Sequence, residues 1–403
     1  MNICITNHDV QPQYICGIKK VLSILTEEWK ERCNITIISL APAGTEYKEY
    51  FQSCNKYLFP NFENINSEEN NTFFAEVVKK ENIDIILHPY ITNDGLNHLC
   101  VNIRKKYNIK LITALHFSVT HNNDILKSYF FNHYRLGKNP TKWLKEILLY
   151  TKYHIKTKKD IARKDAELYN YLLDNSDRVV LLSQSFVDTL KKKLHNKNLH
   201  KLTAINNPAI ITSTPTQTAK EKKIIWCGRV EFSTKRVDRI MDIWKPLCTK
   251  YPDWELIVIG SGSIEEIKNT AEKHNIKNIT FTGSCNPTEY YKKGSILCMT
   301  SSAEGWGMVL IEAMQYGCVP IAYNSYTSLA DIVQNGVNGF AIPAFNKKCY
   351  VEKLEFLMNN NAVRDEMAKK GYESIKKFNQ KDTSYKWIEL FDEVLSQQQP
   401  QNY

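Results

Sequence analysis

Residues 296–323 read ILCMTSSAEGWGMVLIEAMQYGCVPIAY, and this stretch decides the fold. Two apolar runs, ILCMTS and CVPIAY, enclose a turn with two glycines and a helical segment. Runs this apolar are typical of strands that are buried on both faces, and a helix between two such strands indicates parallel pairing. The stretch therefore predicts one strand-helix-strand unit of a parallel sheet.

The same alternation runs through the chain of 403 residues. Further β-branched runs with helical stretches between them are NICIT, ITIISL, IDIILH, KLITALH and RVVLLS in the first half, and KIIWCG, ELIVIG and NITFTG in the second. Between the two series lies AIITSTPTQTAKEKK (209–223), a polar stretch without periodicity that has the composition of a linker. The pattern predicts an α/β protein with two domains.

The length supports the same division, because a chain of this size usually exceeds a single hydrophobic core. We predict two Rossmann-like domains with parallel sheets that face each other across a cleft, at residues 1–206 and 207–380. A C-terminal helix in 381–403 closes the chain, and we expect it to pack back toward the N-terminal domain.

Composition and charge exclude several classes of protein. No apolar run approaches the length of a membrane helix, and the N-terminus lacks a basic leader. The eleven cysteines form no CxxC pair, which favours a reducing, cytoplasmic setting. Most of the net charge of +10 lies in residues 1–206. Charge alone would suggest a nucleic-acid-binding protein, but no recognised motif supports one, so we predict no nucleic-acid partner.

Two segments of the first domain are strongly basic, KYHIKTKKDIARK (152–164) and KKKLHNKNLHK (191–201). The first lies in a predicted helix that is rich in Tyr and Leu, and such a helix can rest on an anionic membrane surface. The hypothesis is a protein that associates with the inner face of the membrane and there reaches a lipid-linked saccharide. The alternative is an ordinary Lys-rich surface that faces water.

In the second domain, the loops that follow the predicted strands carry groups that suit a phosphate ligand. Gly228 lets the backbone come close to a ligand, and Arg229 and Lys235 add two permanent positive charges. Gly260 and Gly283 end the next two strand-like runs. Because ligands of doubly wound sheets bind beyond the carboxyl ends of the strands, we expect these loops to form one site.

The loop within the opening stretch sets two glutamates around a turn. Gly305 and Gly307 leave backbone amides free at the start of a helix, where the macrodipole favours an anion. Glu304 precedes the turn and Glu312 lies about one and a half turns into the helix, so both can accept hydrogen bonds from hydroxyls. The alternative is that both glutamates simply face solvent. GSG at 260–262 is a weak signal, and the missing third glycine counts against a nicotinamide enzyme.

Five motifs in order resemble the nucleotide-binding half of the GT4 family of retaining glycosyltransferases. They are CGRVEFSTKRVD, VIGSGS, ITFTGSC, SSAEGWGMVLIEAMQYGCVPIAYN and IVQNGVNGFAIP, and the resemblance covers residues 223–345. Glu304 and Glu312 reproduce the E-x7-E element of the family. The first half resembles the family more loosely, through Gly17, the histidine of ALH at His116, VVLLSQS and INNP. The resemblance implies the GT-B architecture.

The resemblance also implies roles for individual residues. Arg229 and Lys235 would bind the donor diphosphate, Glu312 the ribose hydroxyls and Glu304 the hydroxyls of the transferred sugar. His116 would lie near that sugar, and His116, Glu304, Arg229 and Lys235 would be the catalytic group. The implied substrate-binding residues are Gly17, Gly228, Arg229, Lys235, Gly260, Gly283, Glu304, Gly305, Gly307, Met308, Val309 and Glu312.

Three positions keep an alternative. Trp306 replaces the usual Phe between the glycines and is either a platform for a sugar or a core aromatic. Arg236 stands where the family often has Gly, so the geometry of the Lys235 loop is open. A lone histidine at a strand end is often structural, which applies to His116. His8 and His88 compete with His116 for its role.

The implied reaction is a front-face displacement that retains the anomeric configuration, in which the leaving phosphate oxygen helps to deprotonate the incoming hydroxyl. The sequence has no Asp-x-Asp and no His/Cys cluster at ligand spacing, so we predict neither a metal nor another cofactor. We expect a hexosyltransferase that moves a sugar from a UDP-sugar to a saccharide or lipid-linked saccharide, bound by the first domain, in surface polysaccharide or glycolipid biosynthesis. The alternative is a sugar-nucleotide epimerase or a phosphorylase on the same fold.

Overall fold

A computed structural model describes residues 1–7, 17–40, 51–90, 94–124, 140–211 and 219–397, with the side chains of all of them except 7, 90, 94 and 140–154. The chain divides into two compact units. The first unit consists of Met1–His116, Lys164–Ile210 and Phe378–Tyr403, and the second of Phe117–Arg163 and Ile211–Lys377.

These limits differ from the sequence-based domain limits at residues 117–163, which group with the second unit although the sequence placed them in the first domain, and at residues 207–210 and 378–380, which group with the first unit. Residues 381–403, the predicted C-terminal helix, group with the first unit as well. The end of the proposed linker also belongs to the second unit, because Lys220 Nζ donates to the carbonyls of Tyr291 at 2.9 Å and Lys292 at 3.0 Å. Residues 212–218 of that linker lie outside the described residues.

The first unit contains a seven-stranded parallel sheet in the order β3-β2-β1-β4-β5-β6-β7. Its strands are β1 (Asn2–Asn7), β2 (Asn34–Ser39), β3 (Asn55–Leu58), β4 (Ile85–Tyr90), β5 (Lys110–Leu115), β6 (Arg178–Leu181) and β7 (Leu202–Ala204). The helices up to residue 193 are α1 (Gly17–Trp29), α2 (Glu68–Lys80), α3 (Asp94–Tyr107), α4 (Pro140–Asn175) and α5 (Gln184–Lys193), and residues 164–175 of α4 belong to this unit.

The second unit contains a six-stranded parallel sheet in the order β10-β9-β8-β11-β12-β13. Its strands are β8 (Lys223–Cys227), β9 (Glu255–Ile259), β10 (Ile279–Gly283), β11 (Ile296–Met299), β12 (Val319–Asn324) and β13 (Phe340–Pro343). Its helices from residue 237 onward are α6 (Val237–Trp244), α7 (Leu247–Lys250), α8 (Ile264–Lys273), α9 (Thr288–Lys293), α10 (Met308–Gln315), α11 (Leu329–Ile332), α12 (Lys347–Asn359) and α13 (Asn361–Ile375). The α/β class and the two parallel sheets are thus confirmed.

The core of each unit lies between its sheet and the helices that cover it. All four residues of β11 are buried, as are the last four residues of β9. Strands of this kind, covered on both faces, explain why the apolar runs of the sequence lack a two-residue alternation. Helix α6 adds a buried side that includes Ile240, Ile243 and Trp244.

The last helix, α14 (Gln380–Ser396), packs on α1 within the first unit. The ring of Trp29 lies 5.1 Å from that of Phe391 and 6.0 Å from that of Trp387, both in edge-to-face arrangements. The side chain of Arg178 also forms an ion pair with Glu393 of this helix. Aromatic pairs of this geometry add stability beyond the area that they bury.

In each sheet the strand order reverses at one point, between β1 and β4 in the first unit and between β8 and β11 in the second. The two strands at such a switch point carry their loops apart, which opens a crevice at their carboxyl ends. In the second unit the two loops are 228–236, after β8, and 300–307, after β11. The site described below lies there.

Most of the described lysines in the two basic segments are exposed, with one exception in the second segment. In 152–164, Ile155 is 57% exposed and Lys156, Lys158 and Lys159 are exposed on α4, whereas the side chains of 152–154 lie outside the described residues. In 191–201, Lys201 is only partly exposed, because its Nζ donates to the carbonyls of Leu173 and Ser176, each at 2.9 Å. Within the described ranges, no helix is both long enough and apolar enough to cross a membrane.

Candidate functional site

An ion pair joins the two loops at the switch point of the second unit. Lys235 Nζ lies 2.6 Å from Glu304 Oε1, and the two side chains are 26% and 11% exposed. The hydroxyl of Ser301 donates to the same carboxylate oxygen at 2.6 Å. Two residues that the sequence assigned to one ligand are therefore in contact with each other. Ser301 was missed, and its only signal was a hydroxyl three residues before the glutamate.

Glu231 gives the first of these loops its shape. Its Oε1 accepts the backbone N–H groups of Thr234 at 3.2 Å and Lys235 at 3.0 Å, and its Oε2 accepts the hydroxyl of Ser233 at 2.9 Å. A side chain that binds amides a few residues ahead closes a turn in the same way as a backbone hydrogen bond. Glu231 therefore fixes the backbone from which Lys235 extends, a role that the sequence reasoning missed.

The open question about Arg236 has a clear outcome. Its backbone lies in the left-handed region, at φ 54° and ψ 55°, immediately before α6. This region is strained for a residue with a Cβ and comfortable for glycine. The guanidinium of Arg236 is buried and binds Asp238 Oδ1 at 2.8 Å. The loop thus takes a glycine-like backbone although it carries an arginine.

The turn before α10 presents the start of that helix at the same edge of the sheet. Gly307 precedes the helix at φ 92°, and within the described part of the chain no side chain caps it. The amides of Met308 and Val309 lie in the first turn, where an α-helix has no acceptor of its own for them. A Cβ on Gly307 would lie 2.9 Å from the Tyr326 hydroxyl, so packing as well as φ requires glycine.

Trp306 is 2% exposed and packs into the interior. Of the two alternatives for this residue, the core aromatic is therefore the one that the structure shows. A ring so completely covered has no face to offer to a sugar.

Glu312 projects from α10 toward the end of β8. Burial is the main cause that raises the pKa of Cys227 to about 11 and the pKa of Tyr291 well above its usual range. The negative charge of Glu312 raises both pKa values further. The carboxylate is partly buried. The alternative of a fully solvent-facing glutamate is therefore wrong for Glu312, and it is wrong for Glu304 for the same reason.

The glycines at three adjacent strand ends stack against one another. The Gly228 N–H donates to Ile259 O at 3.0 Å, and the Gly260 N–H donates to Gly283 O at 2.9 Å. Gly260 has φ 145°, and a Cβ on it would lie 1.8 Å from the Gly228 carbonyl oxygen. Gly283 has φ 71°, and a Cβ on it would meet no described atom within 4 Å. Arg229 is exposed at this edge.

The two site residues of the first half lie in the first unit. Gly17 begins α1, and a Cβ on it would meet no described atom within 4 Å. The loop before it, residues 8–16 with His8, lies outside the described residues. His116 follows β5. His88 is buried within β4 and shares a hydrogen bond of 2.7 Å with the Thr6 hydroxyl.

The His116 ring is shielded at both nitrogens, although the residue as a whole is partly exposed. Among the described residues neither nitrogen has a partner at hydrogen-bond geometry. Burial lowers the pKa of His116 to about 4, and the neighbouring Asn207 side chain opposes this shift only in part. The imidazole is therefore neutral near pH 7.

The predicted residues thus fall into two sets. Lys235, Glu304 and Glu312, together with the start of α10 and the stacked glycines, lie at one edge of the second sheet. Gly17 and His116 belong to the first unit. Across the described residues, no three His, Cys, Asp or Glu side chains are grouped so that they could hold a metal ion.

Residues 212–374 match the family model of glycosyl transferases, group 1. Over these residues the second unit is similar to glycosyl transferases of group 1. The resemblance on which the sequence analysis relied is thereby confirmed for this part of the chain. The matched residues include the loops that carry Lys235, Glu304 and Glu312.

Two curated relatives agree with this family. An uncharacterized glycosyltransferase of Haemophilus influenzae is 30% identical over 197 residues, which are 48% of this chain and 55% of the relative. The amylovoran biosynthesis glycosyltransferase AmsD of Erwinia amylovora is 24% identical over 176 residues, 43% of this chain and 49% of the relative. The chain thus spans about half the length of these curated relatives.

Among solved structures, a variant of TarM from S. aureus in complex with fondaparinux, alpha-GlcNAc-glycerol and UDP is similar over 97% of this chain and 99% of that one. The TM-score is 0.73 at 14% identity. Likeness at this identity shows the fold, and it confirms the GT-B architecture that the sequence predicted.

Proposed function

We propose that the protein is a retaining, GT4-like hexosyltransferase that transfers a sugar from a UDP-sugar to a saccharide or lipid-linked saccharide. The observation that carries the proposal is the contact of 2.6 Å between Lys235 Nζ and Glu304 Oε1 at the switch point of the second sheet. In this contact a cation that can bind a diphosphate lies beside a carboxylate that can accept sugar hydroxyls. The diphosphate and the sugar are likewise adjacent in a nucleotide-sugar.

The positive groups of this site suit a diphosphate. Lys235 supplies a partly buried ammonium, Arg229 an exposed guanidinium, and the start of α10 the amides of Met308 and Val309. Charge-assisted hydrogen bonds to phosphate oxygens are stronger than neutral ones, and the helix dipole adds to them. In the proposed complex, the Lys235 ammonium binds the diphosphate in place of Glu304.

The two acids suit the neutral parts of the donor. Glu304, released from part of its bond to Lys235, accepts hydroxyls of the transferred sugar, while the Ser301 hydroxyl at 2.6 Å keeps its carboxylate in place. Glu312 lies near Cys227 at the end of β8, and there it accepts the ribose hydroxyls. A carboxylate binds two adjacent hydroxyls well, because it offers only acceptors.

The proposed mechanism is a front-face displacement. In the proposed complex the Glu304 carboxylate accepts the Ser301 hydroxyl and the hydroxyls of the transferred sugar, so we do not assign it as a covalent nucleophile. Lys235, Arg229 and the helix amides stabilise the departing diphosphate, and the protein otherwise positions the two substrates. These groups supply the positive charge at the diphosphate, so we expect transfer to need no metal ion and no other cofactor.

His116 has a role that fits its neutral state. An imidazole with a pKa of about 4 carries no charge near pH 7, so it does not repel the positive charge that develops on the sugar during transfer. Its shielded nitrogens can donate or accept a single hydrogen bond, and we propose that a hydroxyl of the transferred sugar is the partner.

The acceptor is proposed to bind the first unit. One relative is named for amylovoran biosynthesis and another as a poly(ribitol-phosphate) alpha-N-acetylglucosaminyltransferase of Staphylococcus aureus, which favours surface polysaccharide or glycolipid as the class of product. We place the protein in the cytoplasm, at the inner face of the membrane.

The membrane contact of this proposal rests on α4. Ile155 is 57% exposed beside the exposed Lys156, Lys158 and Lys159, a combination that suits an anionic surface. Sedimentation with vesicles tests it: binding should be stronger to anionic than to neutral vesicles and should weaken with salt. Equal binding to both vesicles at low salt would contradict an electrostatic contact.

The function is tested by a donor screen. UDP-, GDP- and ADP-sugars are offered to the wild type and to Glu312→Ala, with and without EDTA, and nucleotide release and thermal stabilisation are measured. We expect a UDP-sugar to be turned over and EDTA to have no effect, and NMR of the product to show the donor's anomeric configuration. If no sugar nucleotide stabilises the wild type or is consumed, the proposal fails. Equal stabilisation of both proteins would remove only the Glu312 assignment.

A further inference from the structure

Thr300, a residue assigned no role so far, connects the two loops of the site, 228–236 and 300–307, through hydrogen bonds. It is fully buried at the end of β11. Its hydroxyl accepts the Trp226 indole N–H at 2.9 Å and lies 3.0 Å from the Arg236 carbonyl and 3.2 Å from the Lys235 carbonyl, to which it donates. One buried hydroxyl thus connects β8, the Lys235 loop and the loop that leads to Glu304.

The carbonyls that Thr300 binds belong to the strained part of the loop. Arg236 lies at φ 54° and ψ 55°, a conformation that costs a residue with a Cβ and persists only where its surroundings hold it. The Thr300 hydroxyl donates to the Arg236 carbonyl, and Arg236 Nε donates to Asp238 Oδ1 at 2.8 Å. Together these two bonds hold Arg236 in this conformation.

Two further bonds tie Thr300 and its neighbours to the same loop. The Ser302 N–H donates to Thr234 O at 2.6 Å, and Arg239 Nη1 donates to Thr300 O at 3.3 Å. The guanidinium of Arg239 in turn lies 3.8 Å from the centre of the Phe345 ring. The backbone on both sides of the Lys235–Glu304 pair is therefore fixed by a backbone hydrogen bond and by the side chains of Thr300 and Arg239.

We infer that Thr300 is a positioning residue of the donor site, whose hydroxyl holds the left-handed backbone at Arg236 and so keeps the Lys235 ammonium against Glu304. The effect of Thr300 on donor binding rests on the proposed function, whereas its effect on the loop does not. Thr300 itself contacts no substrate and acts only through the loop.

The test is a double-mutant cycle of wild type, Thr300→Val, Arg236→Gly and the double variant, with UDP affinity measured by calorimetry. Valine keeps the size and branching of threonine and removes the hydroxyl. We expect Thr300→Val to weaken UDP binding about tenfold, because buried groups lose their partner and the loop shifts. In the Arg236→Gly background glycine takes the left-handed backbone without strain, so the same change should cost only about threefold.

Two controls separate positioning from general destabilisation. Thr300→Ser keeps the hydroxyl and should bind UDP within about twofold of the wild type. Thr113→Val removes an equally buried hydroxyl in the first unit, bonded to Ser176 at 2.9 Å, and should lower the thermal midpoint without changing UDP affinity. A tenfold loss in both backgrounds, or unchanged UDP affinity in Thr300→Val, would overturn the inference.

The thermal midpoints of the same four proteins measure the coupling without any ligand. Additive midpoint shifts would overturn the link between Thr300 and Arg236 even if UDP binds. A wild type that binds none of UDP, GDP and ADP would instead overturn the proposed function, while non-additive midpoints would still support the link within the loop.

Discussion

Glu304→Gln and Lys235→Met are expected to change UDP affinity in opposite directions. Without ligand, Glu304 Oε1 lies 2.6 Å from Lys235 Nζ, and the two groups are mostly shielded from water. A diphosphate must compete with Glu304 for the ammonium and must also approach the Glu304 charge. Glutamine keeps the shape of glutamate and removes both obstacles, whereas methionine removes the ammonium itself.

The size of each effect follows from simple electrostatics. A unit charge about 6 Å from a phosphate, at an effective dielectric between those of a protein surface and water, contributes about 1 kcal/mol. Glu304→Gln should therefore tighten UDP binding roughly fivefold. Lys235→Met removes a hydrogen bond from a charged group, which is worth about 1.5 to 3 kcal/mol. It should weaken UDP binding at least tenfold and also lower the thermal midpoint, since it leaves the Glu304 carboxylate without its cation.

Calorimetry with UDP at two salt concentrations measures both changes. The gain in Glu304→Gln should shrink as salt rises, because it is electrostatic. Its turnover of the UDP-sugar should nevertheless fall, since the amide is a weaker acceptor for the sugar hydroxyls. If Glu304→Gln weakens UDP binding as much as Lys235→Met does, the carboxylate is an anchor for the loop and the idea of competition for the ammonium is wrong.

Three further predictions concern stability. His116 is neutral when folded, with a pKa of about 4 against about 6.5 unfolded, so stability should fall as pH drops from about 6.5 toward 4. The loss between pH 7 and pH 5 should be about 2 kcal/mol, and His116→Gln should flatten the denaturation profile over this range. Gly260→Ala should cost about 3 kcal/mol or more, since its Cβ would meet a backbone carbonyl, whereas Gly283→Ala should cost only about 1 kcal/mol; similar losses in urea titrations would contradict the packing argument. Phe391→Ala should cost about 3 to 5 kcal/mol and Leu395→Ala, which is 37% exposed, about 1 kcal/mol, as tested by thermal unfolding.

The sequence predicted the sheets well because buried parallel strands leave a direct trace. NITFTG and ILCMTS correspond to β10 and β11, and the helix that carries Glu312 begins after the second glycine. The glycine turn and the apolar run are local properties of the chain, so neighbouring residues suffice to recognise them.

Other features depended on contacts between distant residues, and the sequence missed them. Lys235 and Glu304 are 69 positions apart, and their contact follows from the strand order, which places the loops after β8 and β11 side by side. The assignment of residues 117–163 to the second unit has the same cause, because it depends on which core a segment packs against. The burial of Trp306 is also a tertiary property, since both alternatives fit its place between two glycines.

The glycines named from the family resemblance have separate physical reasons, and this changes what each can tell about a ligand. Gly260 is required by the Gly228 carbonyl, 1.8 Å from where its Cβ would lie, so an alanine there tests the packing of two loops and not the ligand. Gly17 and Gly283 border space that no described atom fills, so an alanine at either position could meet a ligand first. Loss of donor binding in Gly283→Ala, with a stability loss of only about 1 kcal/mol, would therefore indicate a ligand at that strand end. The same loss in Gly260→Ala would not, because the loop itself would have moved.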